Sequence, residues 1–374
     1  MNRLLPKTDR VVLHSTIDLE DGVLAVIEEL TARGRGATVL VEEPSRARQV
    51  RSAVPGSRVR TVRRRSLRGV LVFLTSRWVM TTESLYGSPV PPPAQTLVNI
   101  WHGEPPTKTV VRFLPGRTPI PCTWAPVCST VGRAYRAAEF GLHPLQVPIV
   151  GAPRNDRMLR ADAAAVRRLV LGDTADRPTL LWLPSFRAGR WGDRVRVDAS
   201  GDYPGVPFDT DALGRLDAAL TALGAQVVVK LHPHDVASFT GSYRSVRALT
   251  QEQMGEKGLT LYPLLSAFDG LITDMSSVWV DYLLVDKPIV FAFPDIDAYR
   301  AGRGLNLEPY EDWVPGPFAR TTEQMIAAVT DVVDGRDPMA DERRRARLRF
   351  HAFHDDRSAA RLLDGLGLLT GRRP

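Results

Sequence analysis

Short apolar runs alternate with stretches of helical period along most of this chain. Val11 to Leu13, Ala37 to Val41 and Thr96 to Trp101 have the length and content of buried strands. Leu19 to Ala32 carries apolar residues at helical spacing, so the rhythm predicts βα units feeding a parallel sheet. Leu67 to Thr82 fits either a helix followed by a strand or two strands. Tyr86 to Pro93 reads as a loop, because Pro91, Pro92 and Pro93 force extended backbone.

Gly151-Ala152-Pro153-Arg154-Asn155-Asp156 breaks the pattern before a helix-like Ala161 to Leu171, and is expected to be an interdomain hinge. The alternation then restarts with a strand at Thr179 to Leu183, a helix at Asp211 to Leu223 and a strand at Gln226 to Leu231. Leu264 to Pro294 holds a complete βαβ unit. Gly270 to Thr273 is its first strand and Val278 to Val285 its helix, which Lys287-Pro288 stops before a second strand at Ile289 to Phe293. The fold class expected is α/β: one Rossmann-like domain at 1–150, a second at 151–335, and a helical tail at 336–374. Arg187 to Pro207 lacks periodicity and reads as a long loop.

A chain of 374 residues with 44% hydrophobic and 24% charged residues is long enough for two cores and is not a disordered polymer. The net charge of +7 gathers partly in two arginine clusters, Arg63, Arg64, Arg65 and Arg68 near the start and Arg343, Arg344, Arg345, Arg347 and Arg349 near the end. Each is either a basic face toward nucleotide, anionic lipid or polyanion, or a solvated surface. Nucleic acid is not expected, since there is no reader motif and aromatic content is 7%. Cys122 and Cys128 suit neither a disulfide framework nor a zinc site, and fit a reducing cytosol. The first residues lack the apolar core of a signal peptide, and no run approaches the roughly 20 apolar residues that span a bilayer. Membrane contact is therefore expected to be peripheral.

The candidate chemistry lies where strands end. In Thr273-Asp274-Met275-Ser276-Ser277, hydroxyls and backbone N–H groups open a helix, an arrangement that suits a phosphate and that an ordinary capped helix shares. His102, followed by Gly103, stands just past one strand, where an imidazole can act as a general base or simply satisfy a hydrogen bond. His232 repeats that placement in the second half. His232, His234 and Asp235 would need a further well-spaced ligand to hold a metal, and Pro233 bends the backbone between them, so no metal is assigned. Arg187 follows another strand with a fork that matches phosphate oxygens. Asp281, two helical turns after Asp274, is placed to accept from a ribose hydroxyl or to sit as a solvated carboxylate.

In order along the chain, IWHGEPPTK at Ile100 to Lys108, GAPRND at Gly151 to Asp156, LPSFR at Leu183 to Arg187, KLHP at Lys230 to Pro233 and DGLITDMSSVWVDYLLVDKPIVF at Asp269 to Phe291 resemble the CDP-glycerol glycerophosphotransferase family of teichoic-acid polymer enzymes. YRAGRGLNLEPYEDWVPGP at Tyr299 to Pro317 extends the resemblance, which covers roughly residues 95 to 335. It implies a GT-B fold with the active site between two Rossmann-like domains. It also implies transfer of glycerol phosphate from CDP-glycerol to a hydroxyl with release of CMP. By position, His102 would be the base and His232 would touch the donor phosphates, so both count as catalytic. Arg187, Thr273, Asp274, Ser276 and Ser277 would hold the pyrophosphate, and Asp281 the ribose.

Departures from the family pattern fall around Gly103. Glu104 replaces a threonine, Pro106 a leucine, and Thr107 the lysine, with Lys108 one place later. An acidic Glu104 opposes a diphosphate unless it faces the acceptor or pairs with a cation. Gly103, Glu104, Lys108, Arg154 and Arg303 are grouped as acceptor-side or of open role. Met275 and Phe186 replace a tyrosine and a tryptophan. The expected partners are a CDP-polyol donor, a lipid-linked glycan or polymer acceptor and an anionic membrane surface on the cytoplasmic side. No cofactor is required. CDP-ribitol is the nearest alternative donor. Rival classes are a GT-B glycosyltransferase using a nucleotide sugar and a non-catalytic polymer-binding relative.

Overall fold

The computed structural model describes residues 2–15, 20–43, 46–104, 120–185, 210–230, 239, 241–302 and 304–368. Strands β1 (Thr8–His14), β2 (Ala37–Val41), β3 (Val59–Arg63), β4 (Ser76–Thr81) and β5 (Thr96–Asn99) form a five-stranded sheet in the order β3-β2-β1-β4-β5. Strands β6 (Thr179–Leu183), β7 (Gln226–Lys230), β8 (Val246–Leu249), β9 (Gly270–Thr273), β10 (Ile289–Ala292) and β11 (Phe318–Ala319) form a six-stranded sheet in the order β11-β10-β9-β6-β7-β8. Every pairing is parallel. Both orders reverse direction beside their first strand, at β1/β4 and at β6/β9, and such switch points open a crevice at the carboxyl ends of the strands.

Parallel strands are covered on both faces, so their sequences are apolar throughout instead of alternating. Ala37–Val41, Thr179–Leu183, Gly270–Thr273 and Ile289–Ala292 are buried at every position. The edge strand β3 reads Val-Arg-Thr-Val-Arg and is mostly uncovered, which explains why its pattern carries no strand signal. The ambiguous segment is a helix at Leu67–Thr75 running directly into β4. Ser66 caps that helix through the Gly69 N–H, at 3.0 Å.

Pro153 starts a helix, Pro153–Arg160, where a break was expected. A proline is well suited to the first helical position, since its missing N–H would have no partner there. The helix expected to reach Val285 stops at Tyr282, and turn hydrogen bonds carry the chain to Asp286, whose φ is +55°.

The tail returns to the first sheet. Helix Ala340–Phe350 packs Ala346 and Phe350 into the core of the second sheet. Helix Ser358–Gly365 sends Leu362, Leu363 and then Leu366 into the core with Leu24, Ile27 and Leu30. Asp156 accepts from the Ser358 and Ala359 N–H groups at 2.9 and 2.8 Å, so the hinge segment caps the last helix. Most of the late arginine cluster is neutralised. Arg343 pairs with Asp286 at 3.0 Å and Asp337 at 2.7 Å, Arg347 pairs with Asp286 at 3.2 Å, and Arg344 and Arg345 pair with Asp341 and Glu342. It is not a basic face.

Candidate active site

His102 stands three residues beyond β5. The preceding Trp101 has φ +46°, a backbone conformation that a bulky residue rarely adopts, and its N–H donates to Asn99 Oδ1 at 3.0 Å. The indole stacks on the His102 ring with centroids 4.5 Å apart and 28° between planes. Phe140 meets the indole edge-on at 5.3 Å, and the Arg136 guanidinium lies over it at 5.2 Å. Arg136 Nη2 also donates to Gly103 O at 3.1 Å. The strained turn is thereby braced from behind. The imidazole stays 46% exposed, with Nδ1 3.4 Å from Glu83 Oε1.

A Cβ on Gly103 would lie 2.3 Å from Ser277 Oγ. Glycine at this place lets the turn from the first sheet meet the second without displacing the Ser277 hydroxyl. That contact brings the His102 segment against the Ser276-Ser277 segment.

The second turn is built on Asp274. Its Oδ2 accepts from Ser185 N at 2.8 Å, and its Oδ1 accepts from Ser185 Oγ at 2.6 Å and from Ser276 N at 3.1 Å. Thr273 Oγ1 donates to Leu183 O at 3.0 Å, joining β9 to β6. Thr273 and Asp274 are fully buried. Ser276 and Ser277 are half-buried, and Ser277 precedes helix Val278–Tyr282 without spending its hydroxyl on a cap.

Behind the turns lies a buried ion cluster. Arg154 Nε and Nη2 donate to Asp281 Oδ2 and Oδ1, both at 3.0 Å, and the Tyr262 hydroxyl donates to Oδ2 at 2.8 Å. Arg154 Nη2 also reaches Glu104 Oε1 at 3.3 Å, while Glu104 Oε2 accepts from Cys128 N at 3.3 Å. Burial pushes the Glu104 carboxyl up, against the pull of Arg154. Burial also opposes the Arg154 charge, but Asp281, Tyr262 and Glu104 outweigh it and hold the guanidinium well above the usual arginine value. Nearby, Asp21 accepts from Tyr262 N at 3.0 Å and Arg157 Nε at 2.8 Å, a second tie between the two halves.

With this geometry in view, the sequence matches the family model described as CDP-Glycerol:Poly(glycerophosphate) glycerophosphotransferase over residues 1–367. The chain belongs to this family. A teichoic acid ribitol-phosphate primase of Bacillus spizizenii is 29% identical over 54% of this chain and 49% of its own length. The ribitol-phosphate polymerase TarK of Staphylococcus aureus is 25% identical over 73% of this chain and 52% of its own length. A teichoic acid poly(glycerol phosphate) polymerase of Bacillus spizizenii is 25% identical over 73% of this chain and 70% of its length. The chain thus spans about half the length, or less, of the first relatives it matches. Among solved structures, the wall teichoic acid polymerase TagF superposes with a TM-score of 0.75 at 19% identity, covering 97% of this chain and 89% of that one. A UDP-GlcNAc 2-epimerase from Neisseria meningitidis superposes at 0.53 with 12% identity, over 96% and 100% of the two chains. The two-domain GT-B architecture expected for the family is the one observed.

Several family-derived placements change. Thr273 and Asp274 support the turn instead of presenting their side chains outward: both are buried and bonded within it. Asp281 is not open to a ribose, because it is fully buried under Arg154 and Tyr262. Glu104 and Arg154 do not face an acceptor. They neutralise part of each other's charge in the interior, which removes the objection that Glu104 repels a diphosphate. His102, Gly103, Ser276 and Ser277 are brought together. Lys108, Arg187, His232, His234 and Arg303 lie outside the described residues.

Glu83 was missed. It stands two residues past β4, a strand-end place like that of His102, three past β5. For Glu83, the ambiguity of Leu67 to Thr82 hid the strand end.

Proposed function

We propose that this protein transfers glycerol phosphate from CDP-glycerol to a hydroxyl of a lipid-linked glycan or growing teichoic-acid-like polymer. The observation that carries the reading is the contact of the His102-Gly103 turn with Ser277, which sets a half-exposed base beside two half-buried hydroxyls at facing strand ends. In the proposed step His102 takes the proton of the acceptor hydroxyl as its oxygen attacks the phosphorus that carries glycerol. The bond from that phosphorus to the bridging oxygen breaks, and CMP leaves in line. Ser276 and Ser277 hold the diphosphate by their hydroxyls. No covalent enzyme intermediate is needed.

CDP-ribitol is the second reading for the donor, favoured by the ribitol-phosphate enzymes among the relatives. Isothermal titration with CDP-glycerol, CDP-ribitol, CMP and UDP-N-acetylglucosamine separates the readings. Selective binding of one CDP-polyol supports transfer and names the donor, and preference for the UDP-sugar removes the proposal.

We also propose that the protein works at the cytoplasmic membrane surface through helix Leu67–Thr75. Leu67 is 91% exposed and Leu71 54%, and exposed Arg63, Arg65 and Arg68 flank them. Apolar side chains beside unburied arginines fit an anionic lipid surface. Among the described residues, no helix is long and apolar enough to cross a membrane.

A further inference from the structure

We propose that Glu83 is a positioning residue for His102, holding the imidazole with its proton on Nδ1 so that the basic lone pair lies on Nε2. The inference rests on the reading of His102 as the base. It starts from the register of two neighbouring strands: Thr81 of β4 pairs with Asn99 of β5, so the residues just past each strand emerge side by side. Glu83 Oε1 lies 3.4 Å from His102 Nδ1, and the two side chains are 40% and 46% exposed.

The carboxylate is carried on a fixed stem. Thr81 Oγ1 donates to Glu83 O at 2.9 Å and accepts from Glu83 N at 3.3 Å, and Thr81 itself is buried at the end of β4. Trp101 covers one flat side of the imidazole and fixes the plane of the ring. Once the plane is fixed, a carboxylate at Nδ1 decides which nitrogen carries the proton. Such contacts are commonly long before substrate binds and shorten in the reacting complex.

Among the described residues, the Glu20 carboxyl is near enough to feel the Glu83 charge, and burial pushes it up to about 8. It therefore keeps its proton at neutral pH and does not supply a second negative charge. When Nε2 takes the acceptor proton, the resulting imidazolium is stabilised by Glu83, and the Nδ1 proton is not transferred. On return of the Nε2 proton to solvent, the same tautomer is restored.

The test is a long-range proton–nitrogen correlation spectrum of the histidine-labelled full chain, with His102→Ala used to assign the signal. The wild type is expected to show an unprotonated Nε2. Glu83→Ala is expected to give a tautomer mixture and a kcat lower by about 10- to 100-fold, less than the about 10²- to 10⁴-fold that loss of the base itself would cost. Its affinity for the CDP-polyol should stay within twofold, which also shows that the variant is folded. Glu83→Gln keeps an acceptor oxygen at the same reach and should restore the tautomer. The proposal is overturned if Glu83→Ala leaves the His102 ring signals unchanged, whatever happens to kcat. If His102→Ala retains turnover, the base reading fails instead, and the spectrum still reads the hold of Glu83 on the ring.

Discussion

Two side-chain pairs in this fold behave in opposite ways. His102 and Glu83 meet at 3.4 Å with nearly half of each side chain open. Arg154 and Asp281 form a two-pronged pair at 3.0 Å with almost nothing exposed. Water screens the first pair and leaves its proton free to exchange. Burial makes the second expensive to break, because removing one partner leaves an uncompensated charge. The open pair is suited to chemistry and the closed pair to joining the two domains.

The sharpest way to break this comparison is Arg154→Met. It strands Asp281 and Glu104, and should destabilise the protein by about 3–5 kcal/mol in urea unfolding, the range for a broken buried pair. Combining it with Asp281→Leu should recover part of that loss. Glu83→Ala, by contrast, should leave the unfolding midpoint within error. A loss in Glu83→Ala as large as in Arg154→Met would erase the distinction.

A second buried group extends the comparison to pH. His351 Nε2 donates to Val280 O at 2.6 Å, and burial pushes its imidazole down to about 4. The unfolded chain binds a proton near 6.5 and the folded chain does not, so stability is full above about 6.5 and falls as pH drops toward 4. The expected loss is about 3 kcal/mol across that window. His351→Gln should flatten this part of the profile in unfolding measured from pH 7 to 4, and an unchanged slope would remove His351 from the account.

Smaller effects concern the surface and the contact between turns. Leu67→Gln with Leu71→Gln should weaken binding to anionic vesicles by about 2 kcal/mol in sedimentation, from the apolar area that no longer inserts. CDP-polyol affinity should not move. Gly103→Ala displaces the Ser277 hydroxyl, a side-chain tip that can rotate, so stability should change little. Donor binding by titration should weaken by about 1 kcal/mol, a single hydrogen bond.

The sequence made the sheets legible, because strands covered on both faces read as unbroken apolar runs. It hid β3, whose Val-Arg-Thr-Val-Arg pattern belongs to an exposed edge, and β8, whose Arg247 interrupts a four-residue run. His102, Gly103, Ser276 and Ser277 were legible as strand-end residues, and the fold brings them together. Asp281 was misread, and the cation that Glu104 pairs with could not be named, for one reason. A carboxylate beside a proposed phosphate site looks the same in sequence whether it faces the ligand or an arginine 127 positions away, as Asp281 does. Charge pairing across that separation is set by how the domains pack, and no local pattern records it.

The central claim is that His102 is the base in transfer from a CDP-polyol. The direct measurement is the single-turnover rate of CMP release by wild type and His102→Ala, with saturating donor and a polyol-phosphate acceptor. The account predicts a loss of about 10²- to 10⁴-fold with donor affinity unchanged. CMP release at the wild-type rate in His102→Ala would contradict it.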